Sequence, residues 1–388
     1  MQSSDIKSMS IQRTKLVVLS LFHEKMLLLK RSAHPPFFKE KSMKTIPSRS
    51  FFVPTISLVS VTFLTLVGIV AAPHIALAGD VPPQDVNVEL VDTLTALAKG
   101  PHAGFRSNHA KGIMATGFFT PSPKAARLTK ASHVNGGNVP VLVRFSNGTG
   151  VPTIPDADPN SSPHGMAIRF LLPDSDYTDI VSISYNGFPV ATPEDFLSLL
   201  KAIQASGPDA SKPTPIEQFL GSHPAALQFV NTPKPAPTSF TTLSYFGVNA
   251  FKFTNRKGVS RFGRYRIVPL NPEPALRSEQ AANMSPDYLM AELPTRLLKR
   301  EVKFKISVQL ANATDAINNG SVVWPESRPQ VELGILTLKA IVANSKDEEK
   351  KLMFSPLALP DGIAPSNDPV LLSRPAAYAV SYGRRASQ

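Results

Sequence analysis

The sequence contains no cysteine among its 388 residues. This absence excludes disulfide bonds, thiolate catalysis and cysteine-based zinc or iron–sulfur sites. Histidine is also sparse, with eight residues, and no H-x-x-x-H or H-E-x-x-H pairing is present for a zinc site. A cofactor would therefore have to be held by His, Tyr, Asp or Glu side chains, or by packing alone.

Basic residues outnumber acidic residues, and this excess is concentrated at the N-terminal end of the chain. The net charge is +12, and residues 1–78 contain ten Lys or Arg against three Asp or Glu. The remaining 310 residues therefore carry only +5, which is ordinary for a protein surface. This distribution predicts no nucleic-acid function.

Residues 43–78 have the organisation of a secretory signal peptide. Two basic residues precede the apolar run 53–72, and Ala76 and Ala78 are the small residues expected before a cleavage site. We expect cleavage after Ala78 and a periplasmic or secreted protein that is not attached to the membrane. An uncleaved anchor is the alternative, because the apolar run is close to membrane-spanning length.

The chain thus divides into three parts by sequence. Residues 1–42 match neither a domain nor a signal, which favours a start codon assigned too early. Residues 43–78 are the expected signal peptide, and residues 79–388 are expected to form one functional domain.

The last part has the pattern of an α+β fold. Apolar alternation between Gly, Pro, Asn and Asp turns predicts strands at 112–119, 139–145, 165–172, 179–184, 250–255, 263–268 and 302–310. Helical spacing predicts helices at 86–99, 193–205, 216–220 and 280–292, and residues 206–240 have the composition of a long surface connection. Several antiparallel strands with helices inserted between them favour a closed or nearly closed barrel.

Arg374 and Tyr378 are spaced for contact near the C-terminus. Residues four apart lie on one face of a helix, so the Arg374 guanidinium could reach the Tyr378 oxygen and favour its phenolate form. A tyrosine can ligate ferric haem only as a phenolate. Alone the spacing is weak, because a surface arginine near a packed tyrosine has the same pattern.

Four segments carry polar residues that strand or helix patterning does not require: 106–112, 143–148, 185–190 and the C-terminal group of Arg374, Tyr378 and Arg385. With them the chain resembles the haem catalases, and more closely their small bacterial relatives, the catalase-related peroxidases. The resemblance covers about residues 90–388, and the matching stretches are 106–112, 143–146, 162–170, 186–190, 246–258 and 354–385. Ordinary catalases continue into a C-terminal helical domain, whereas this sequence ends ten residues after Tyr378.

The resemblance implies a catalase-like antiparallel β-barrel with inserted and flanking α-helices, and a haem cofactor that is expected to be haem b. Tyr378 would be the axial ligand of the haem iron, with Arg374 keeping it anionic. His109 would be the distal acid and base, Asn186 would hydrogen-bond the peroxide, and Ser146 would hold the His109 ring.

The same resemblance implies the residues that bind the cofactor. Arg106, Arg144 and Arg385 match the arginines that bind the haem propionates, and Phe145 and Phe196 match positions beside the ring. The other histidines of this region are expected to be solvent-exposed or structural: His102, His133, His164 and His223.

Departures from the catalase pattern lie on the distal side. Asn108 replaces an apolar residue before the distal histidine, Asn147-Gly148 follows Ser146, and Pro163-His164-Gly165 replaces Pro-Arg-Gly. An aromatic run is replaced by Val190-Ala191-Thr192. We therefore expect a wider and wetter pocket, which confines a second peroxide less tightly and admits larger reductants.

The sequence favours a haem peroxidase that reduces hydrogen or organic peroxides with a small organic electron donor and has weak catalase activity. Two other functions remain open: an exported haem-binding or carrier protein with little turnover, and an enzyme that processes lipid hydroperoxides. A catalase-like fold decides none of these by itself. The oligomeric state also stays open.

Overall fold

Eight antiparallel strands close into a barrel in the computed structural model of the protein, which describes residues 85–387. The whole sheet has ten strands in the described residues. In chain order they are β1 (Gly112–Pro121), β2 (Val139–Ser146), β3 (Gly165–Leu171), β4 (Tyr177–Ile183), β5 (Tyr245–Phe246), β6 (Phe251–Thr254), β7 (Ser260–Pro269), β8 (Val302–Leu310), β9 (Gln330–Ile341) and β10 (Ile363–Pro365). Around the barrel the order is β7-β5-β4-β3-β2-β1-β9-β8, and pairing between β8 and β7 closes the ring. The short strands β6 and β10 extend the sheet beside β5, since β6 pairs with β7 and β10 pairs with β6.

Eight α-helices flank this barrel within the same described range. They are α1 (Val86–Leu97), α2 (Pro193–Ala205), α3 (Pro215–Ser222), α4 (Pro224–Asn231), α5 (Ser278–Ala282), α6 (Tyr288–Lys299), α7 (Ser345–Lys351) and α8 (Pro369–Ala386). None of the helices between residues 85 and 387 is long and apolar enough to span a membrane. The predicted α+β fold with an antiparallel barrel and inserted and flanking helices is confirmed; the predicted signal peptide and the extension before it lie outside the described residues.

Proline starts many of these helices. The first residue of α2, α3, α4 and α8 is a proline, whose fixed φ suits a first turn that needs no N–H donor. Asp368 caps α8, because its carboxylate accepts the backbone N–H groups of Val370 and Leu371. Several of the 37 prolines in the sequence are thus explained by helix starts.

Apolar side chains fill the barrel interior at alternate strand positions. On β2 the inward residues Val141, Val143 and Phe145 are almost completely buried. The Phe145 ring stacks on Phe240 with a centroid distance of 5.6 Å. The opposite face of β2 is therefore free to carry polar residues without disturbing this core.

One row of paired residues crosses four neighbouring barrel strands. Gly112 of β1 is opposite Ser146 of β2, Ser146 is opposite Gly165 of β3, and Gly165 is opposite Ile183 of β4. All four residues lie at strand ends on one edge of the barrel. The loops that precede β1 and follow β4 consequently meet at this edge.

The predicted strands are present with small shifts at their ends, but the short strands β5 and β10 and the long strand β9 were not predicted. Two irregularities interrupt the pairing of β9, one opposite β8 between Ile306 and Ser307 and one opposite β1 between Thr116 and Gly117. A bulge shifts the in-and-out alternation by one residue, so the sequence of β9 does not show the period of a regular strand.

Two other predictions of secondary structure were wrong. The helix predicted over 280–292 is interrupted at Pro286, which separates α5 from α6 because proline disfavours helical geometry in the residue before it. The connection predicted over 206–240 contains α4 as well as the expected α3, and both pack with α2 in a second apolar cluster.

A buried ion pair anchors the segment before β1. Lys111 Nζ lies 2.7 Å from Asp156 Oδ1, and the two side chains are 8% and 0% exposed. The same carboxylate accepts hydrogen bonds from the Leu289 backbone and the Asn147 side chain. Lys111 therefore compensates a charge that has no access to water.

Lys111→Met should lower the free energy of unfolding by about 3–5 kcal/mol, because the Asp156 carboxylate would stay buried without its counter-ion. Lys351→Met is the control, since it removes a solvent-exposed partner of Glu348 and should leave the free energy of unfolding unchanged. Denaturant unfolding of the purified variants measures both values. Equal stability of the Lys111 variant and the wild type would contradict the assignment.

Candidate active site

The loop between α1 and β1 places His109 beside the end of β2. Its Nδ1 lies 3.1 Å from Ser146 Oγ. His109 has a φ of +54°, a left-handed conformation that costs free energy in a residue with a side chain. Two bonds hold it there: its carbonyl accepts from Arg144 at 2.9 Å, and the Ala110 N–H donates to Thr149 O at 2.9 Å.

Glycine at position 165 makes room for the His109 ring. A Cβ atom on Gly165 would lie 2.6 Å from Ser146 Oγ and 2.9 Å from His109 Nδ1, both closer than real contacts allow. Gly112 has a similar role on the other side of β2, where a Cβ atom would lie 2.4 Å from the Arg144 guanidinium. The strands next to β2, β1 and β3, thus carry glycine at the positions where the Arg144 and His109 side chains need space.

The charge state of His109 follows from its surroundings. Burial, and secondarily the positive charge of Arg144, lower the pKa of His109 to about 4. The imidazole is therefore neutral near pH 7 and has one nitrogen with a free lone pair. Such a ring can accept a proton and return it.

Asn186 lies in the loop that follows β4, on the same barrel edge as His109. The stem of this loop is fixed by two bonds with His164: the Ser184 N–H donates to the His164 carbonyl, and the His164 N–H donates to Ser184 Oγ. The Asn186 side chain donates to Glu326 at 3.2 Å. The fold thus brings the two polar segments that contain His109 and Asn186 to one edge of the barrel. The Asn186 side chain is itself hydrogen-bonded to Glu326.

The Phe145 side chain points to the opposite face of β2 from Arg144 and Ser146. Its predicted position beside the cofactor ring is therefore corrected. Side chains alternate along a strand, so Arg144 and Ser146 point to one face of β2 and Phe145 to the other. The Phe145 ring is fully buried inside the barrel against Phe240 and Tyr245. It is a core residue.

Three arginines predicted to bind the cofactor converge on the end of α7. Arg144 Nε lies 2.6 Å from Glu349 Oε2, and the Arg106 guanidinium lies 3.8 Å from the same oxygen. Arg106 and Arg385 both donate to the Leu352 carbonyl, at 2.7 and 2.8 Å. Glu349 was missed because it lies in a run of charged residues that is typical of an exposed helix.

This arginine cluster (Arg106, Arg144 and Arg385) has more positive than negative charge. Glu349 is the one carboxylate that contacts it among the described residues, and Arg385 Nε is buried without a hydrogen-bond partner there. Burial, and then the charge of Arg144, lower the pKa of Arg106 and bring that of Arg385 to about 10. Such a cluster is suited to binding an anionic group.

Arg374 and Tyr378 are in direct contact on α8. Arg374 Nε and Nη2 lie 3.0 and 2.8 Å from the Tyr378 oxygen, which confirms the contact predicted from their spacing. Both donors belong to one charged guanidinium, so the Tyr378 oxygen faces a fixed positive charge. The oxygen is thereby suited to ligate a metal.

Two residues that the sequence did not single out hold Arg374 in place. Arg374 Nη1 donates to Asn249 Oδ1 at 2.8 Å, and Asn249 Nδ2 donates to Asp368 Oδ2 at 2.8 Å. Asp368 also caps α8, so the helix start and the Tyr378 contact belong to one chain of hydrogen bonds. Of the two, only Asp368 could have been recognised from the sequence, since Asp before Pro marks a helix start.

His164 was expected to be solvent-exposed or structural, and it is buried behind the His109 site. Its Nδ1 lies 3.2 Å from Asn147 Oδ1, and its Nε2 has no hydrogen-bond partner within residues 85–387. Burial, and then the neighbouring His109, lower its pKa to about 3. Asn147 in turn donates to Asp156, so His164 joins the buried polar network before β1.

Comparisons with known proteins agree with this architecture. The Catalase family model matches residues 87–387. A catalase-related peroxidase of Mycolicibacterium paratuberculosis is 35% identical over 290 residues, which cover 73% of this chain and 89% of the relative. A catalase-related peroxidase of Synechococcus elongatus is 34% identical over 291 residues, covering 74% of this chain and 85% of the relative.

Solved structures show the same fold. A fungal catalase superposes with a TM-score of 0.65 at 21% identity, covering 83% of this chain and 67% of its own. A bacterial catalase superposes with a TM-score of 0.64 at 22% identity, covering 79% of this chain and 62% of its own. From its barrel, its site residues and these matches, the chain belongs to the catalase family.

Proposed function

We propose that this protein is a haem-dependent peroxidase that reduces hydrogen peroxide or organic peroxides with a small organic electron donor. The observation that carries the proposal is the Tyr378 oxygen, which accepts two hydrogen bonds from Arg374. The names of the two relatives at about 35% identity, both catalase-related peroxidases, support the reaction type.

The arginine cluster provides a test of whether haem fits these residues. Three guanidinium groups face the single carboxylate of Glu349, which leaves two positive charges to be compensated. Haem b carries two propionate groups, so its charge matches this surplus. Arg385 Nε, buried without a partner among the described residues, is a free donor for one of them.

Tyr378 would ligate the haem iron, and the arginine cluster would bind the propionates. When bound, the haem would supply the redox chemistry that reduction of a peroxide by an organic donor requires. A tyrosine oxygen that ligates the iron as a phenolate would donate charge to it and favour cleavage of the O–O bond. Arg374, held by Asn249, would stabilise the negative charge of that oxygen as an iron ligand.

His109 performs the proton transfer. The neutral imidazole takes the proton from one peroxide oxygen and delivers it to the other, which then leaves as water or an alcohol. Ser146 holds the ring in position at 3.1 Å. Asn186 is proposed to orient the peroxide by hydrogen bonding, since its loop lies on the same barrel edge as His109.

Weak catalase activity is proposed from the polar residues around His109. Oxygen release requires a second peroxide to be confined tightly. Asn108 beside His109 and the small Gly148 after Asn147 leave such confinement incomplete, and they favour oxidation of a larger donor. The greater identity to catalase-related peroxidases than to the superposed catalases supports this choice.

Tyr378→Phe should abolish the normal haem spectrum, because phenylalanine has no oxygen to ligate iron. His109→Ala should keep haem but slow the reaction with peroxide by a factor of about 10²–10⁴, as expected when a general acid–base group is removed. Optical spectra and stopped-flow mixing with hydrogen peroxide measure the two effects. Tyr382→Phe, one turn further along α8, is the matched control and should resemble the wild type.

Either of two results would reject these roles. A wild-type haem spectrum in Tyr378→Phe would remove the tyrosine as ligand. Full reactivity with peroxide in His109→Ala would remove the histidine as acid and base while leaving the haem assignment intact.

The rate constant for reaction with peroxide should be level from about pH 5 to 8 and fall at lower pH with a midpoint near 4, the lowered pKa of His109. Protonation removes the lone pair that accepts the peroxide proton, so the rate falls as pH decreases. The test is stopped-flow measurement of this rate constant from about pH 3.5 to about pH 8, in steps of about half a pH unit. A midpoint near the ordinary histidine value of about 6.5 would contradict the lowered pKa of His109.

We further propose that the protein is exported and cleaved after Ala78. The basic residues, apolar run and Ala76-Leu77-Ala78 ending support it. The mature protein purified from the periplasm or medium should begin at Gly79 by intact mass. A mass that includes residues 43–78 would instead indicate an uncleaved anchor.

A further inference from the structure

A cavity of about 350 Å³ lies between α1 and α8, beside the arginine cluster. It is lined by Arg106 and Arg385, together with Ser107 from the His109 loop and Ser381 from α8. Two of the three arginines proposed to bind the propionates therefore also line the cavity. His109 is not among its lining residues, so a molecule held here would lie beside these arginines and not at the peroxide site.

Apolar residues also line this cavity. They are Val91, Ala98, Pro101 and Phe105, and the Phe105 ring is 41% exposed. A volume of this size lies at the lower end of the range for small-molecule sites, about 300–1,000 Å³. One aromatic ring with a few substituents fits such a space.

The charges at the mouth of the cavity are paired. Arg384 lies 2.6 Å from Asp92, and both line the cavity. Once two propionates compensate the arginine cluster, the cavity walls carry no net charge. This balance favours a neutral ligand over a strongly charged one.

His102 supplies a proton acceptor in the cavity wall. Its Nε2 lies 2.9 Å from the Ala98 carbonyl. A carbonyl oxygen can only accept, so Nε2 carries the hydrogen, and in the neutral ring Nδ1 is left with a free lone pair. The sequence had offered no role for this histidine.

We propose that the cavity between α1 and α8 binds a neutral phenolic reductant, with His102 accepting its hydroxyl proton. This inference rests on the proposed peroxidase function. Each phenol would give one electron to the oxidised cofactor and one proton to His102 Nδ1, which releases the proton to water before the next phenol binds, and would leave as a phenoxyl radical. Two phenols thus match the two electrons that one peroxide requires, and their two protons balance the water and the water or alcohol formed from it.

The test uses the haem-loaded protein with guaiacol as donor and hydrogen peroxide as oxidant. Thr95→Phe fills the cavity from α1, and His102→Phe keeps a ring but removes the base. Thr295→Phe is the matched control: like Thr95, Thr295 bonds the carbonyl four residues earlier in its helix, but it lies on α6 outside the cavity. Calorimetric titration with guaiacol in the absence of peroxide gives a second readout that does not depend on turnover.

Thr95→Phe should lower kcat/KM for guaiacol by at least about tenfold and abolish the calorimetric signal, because the ring site is filled. His102→Phe should lower kcat by at least about tenfold with little change in KM, because only proton acceptance is lost. Both variants should react with peroxide at the wild-type rate, and Thr295→Phe should behave as the wild type throughout.

Wild-type guaiacol oxidation in Thr95→Phe would overturn the cavity as the donor site and leave the peroxidase function in place. Wild-type kcat in His102→Phe would overturn the histidine as proton acceptor. A wild-type protein that does not react with peroxide at all would overturn the proposed function, and this inference with it.

Discussion

The pairing register of β1 to β4 is the constraint on which the site depends. Because Gly112, Ser146, Gly165 and Ile183 form one row, the loops before β1 and after β4 meet at the same barrel edge. A shift of one residue in β2 would turn Arg144 and Ser146 into the barrel and Phe145 out of it. The apolar core and the polar site are therefore fixed by the same register, since they occupy opposite faces of one strand.

Charge balance is the second organising feature. Positive charge accumulates where three arginines meet one glutamate, and a second arginine site holds the oxygen of Tyr378. Burying this much positive charge is costly unless anions compensate it. The proposed haem would compensate the arginine cluster with its two propionates, and a phenolate ligand at Tyr378 would compensate Arg374. Occupation of the site would then stabilise the fold.

Features that depend on local spacing could be predicted from the sequence. The Arg374–Tyr378 contact follows from helical geometry, and most barrel strands follow from alternation. The orientation of Phe145 could not be predicted from its motif alone, because it depends on which face of β2 meets the core. Glu349 and Asn249 join the site from distant segments, and no local pattern marks them. β9 was missed because its bulges break the alternation that identifies a strand.

The most direct test is to add hydrogen peroxide to the purified wild-type protein, with and without a phenolic dye, after recording its optical spectrum. This account predicts a high-spin ferric haem spectrum and dye oxidation that far exceeds oxygen release. Abundant oxygen without donor would instead indicate a small catalase. A protein that binds no haem, or binds haem that is inert to peroxide, would contradict the central claim.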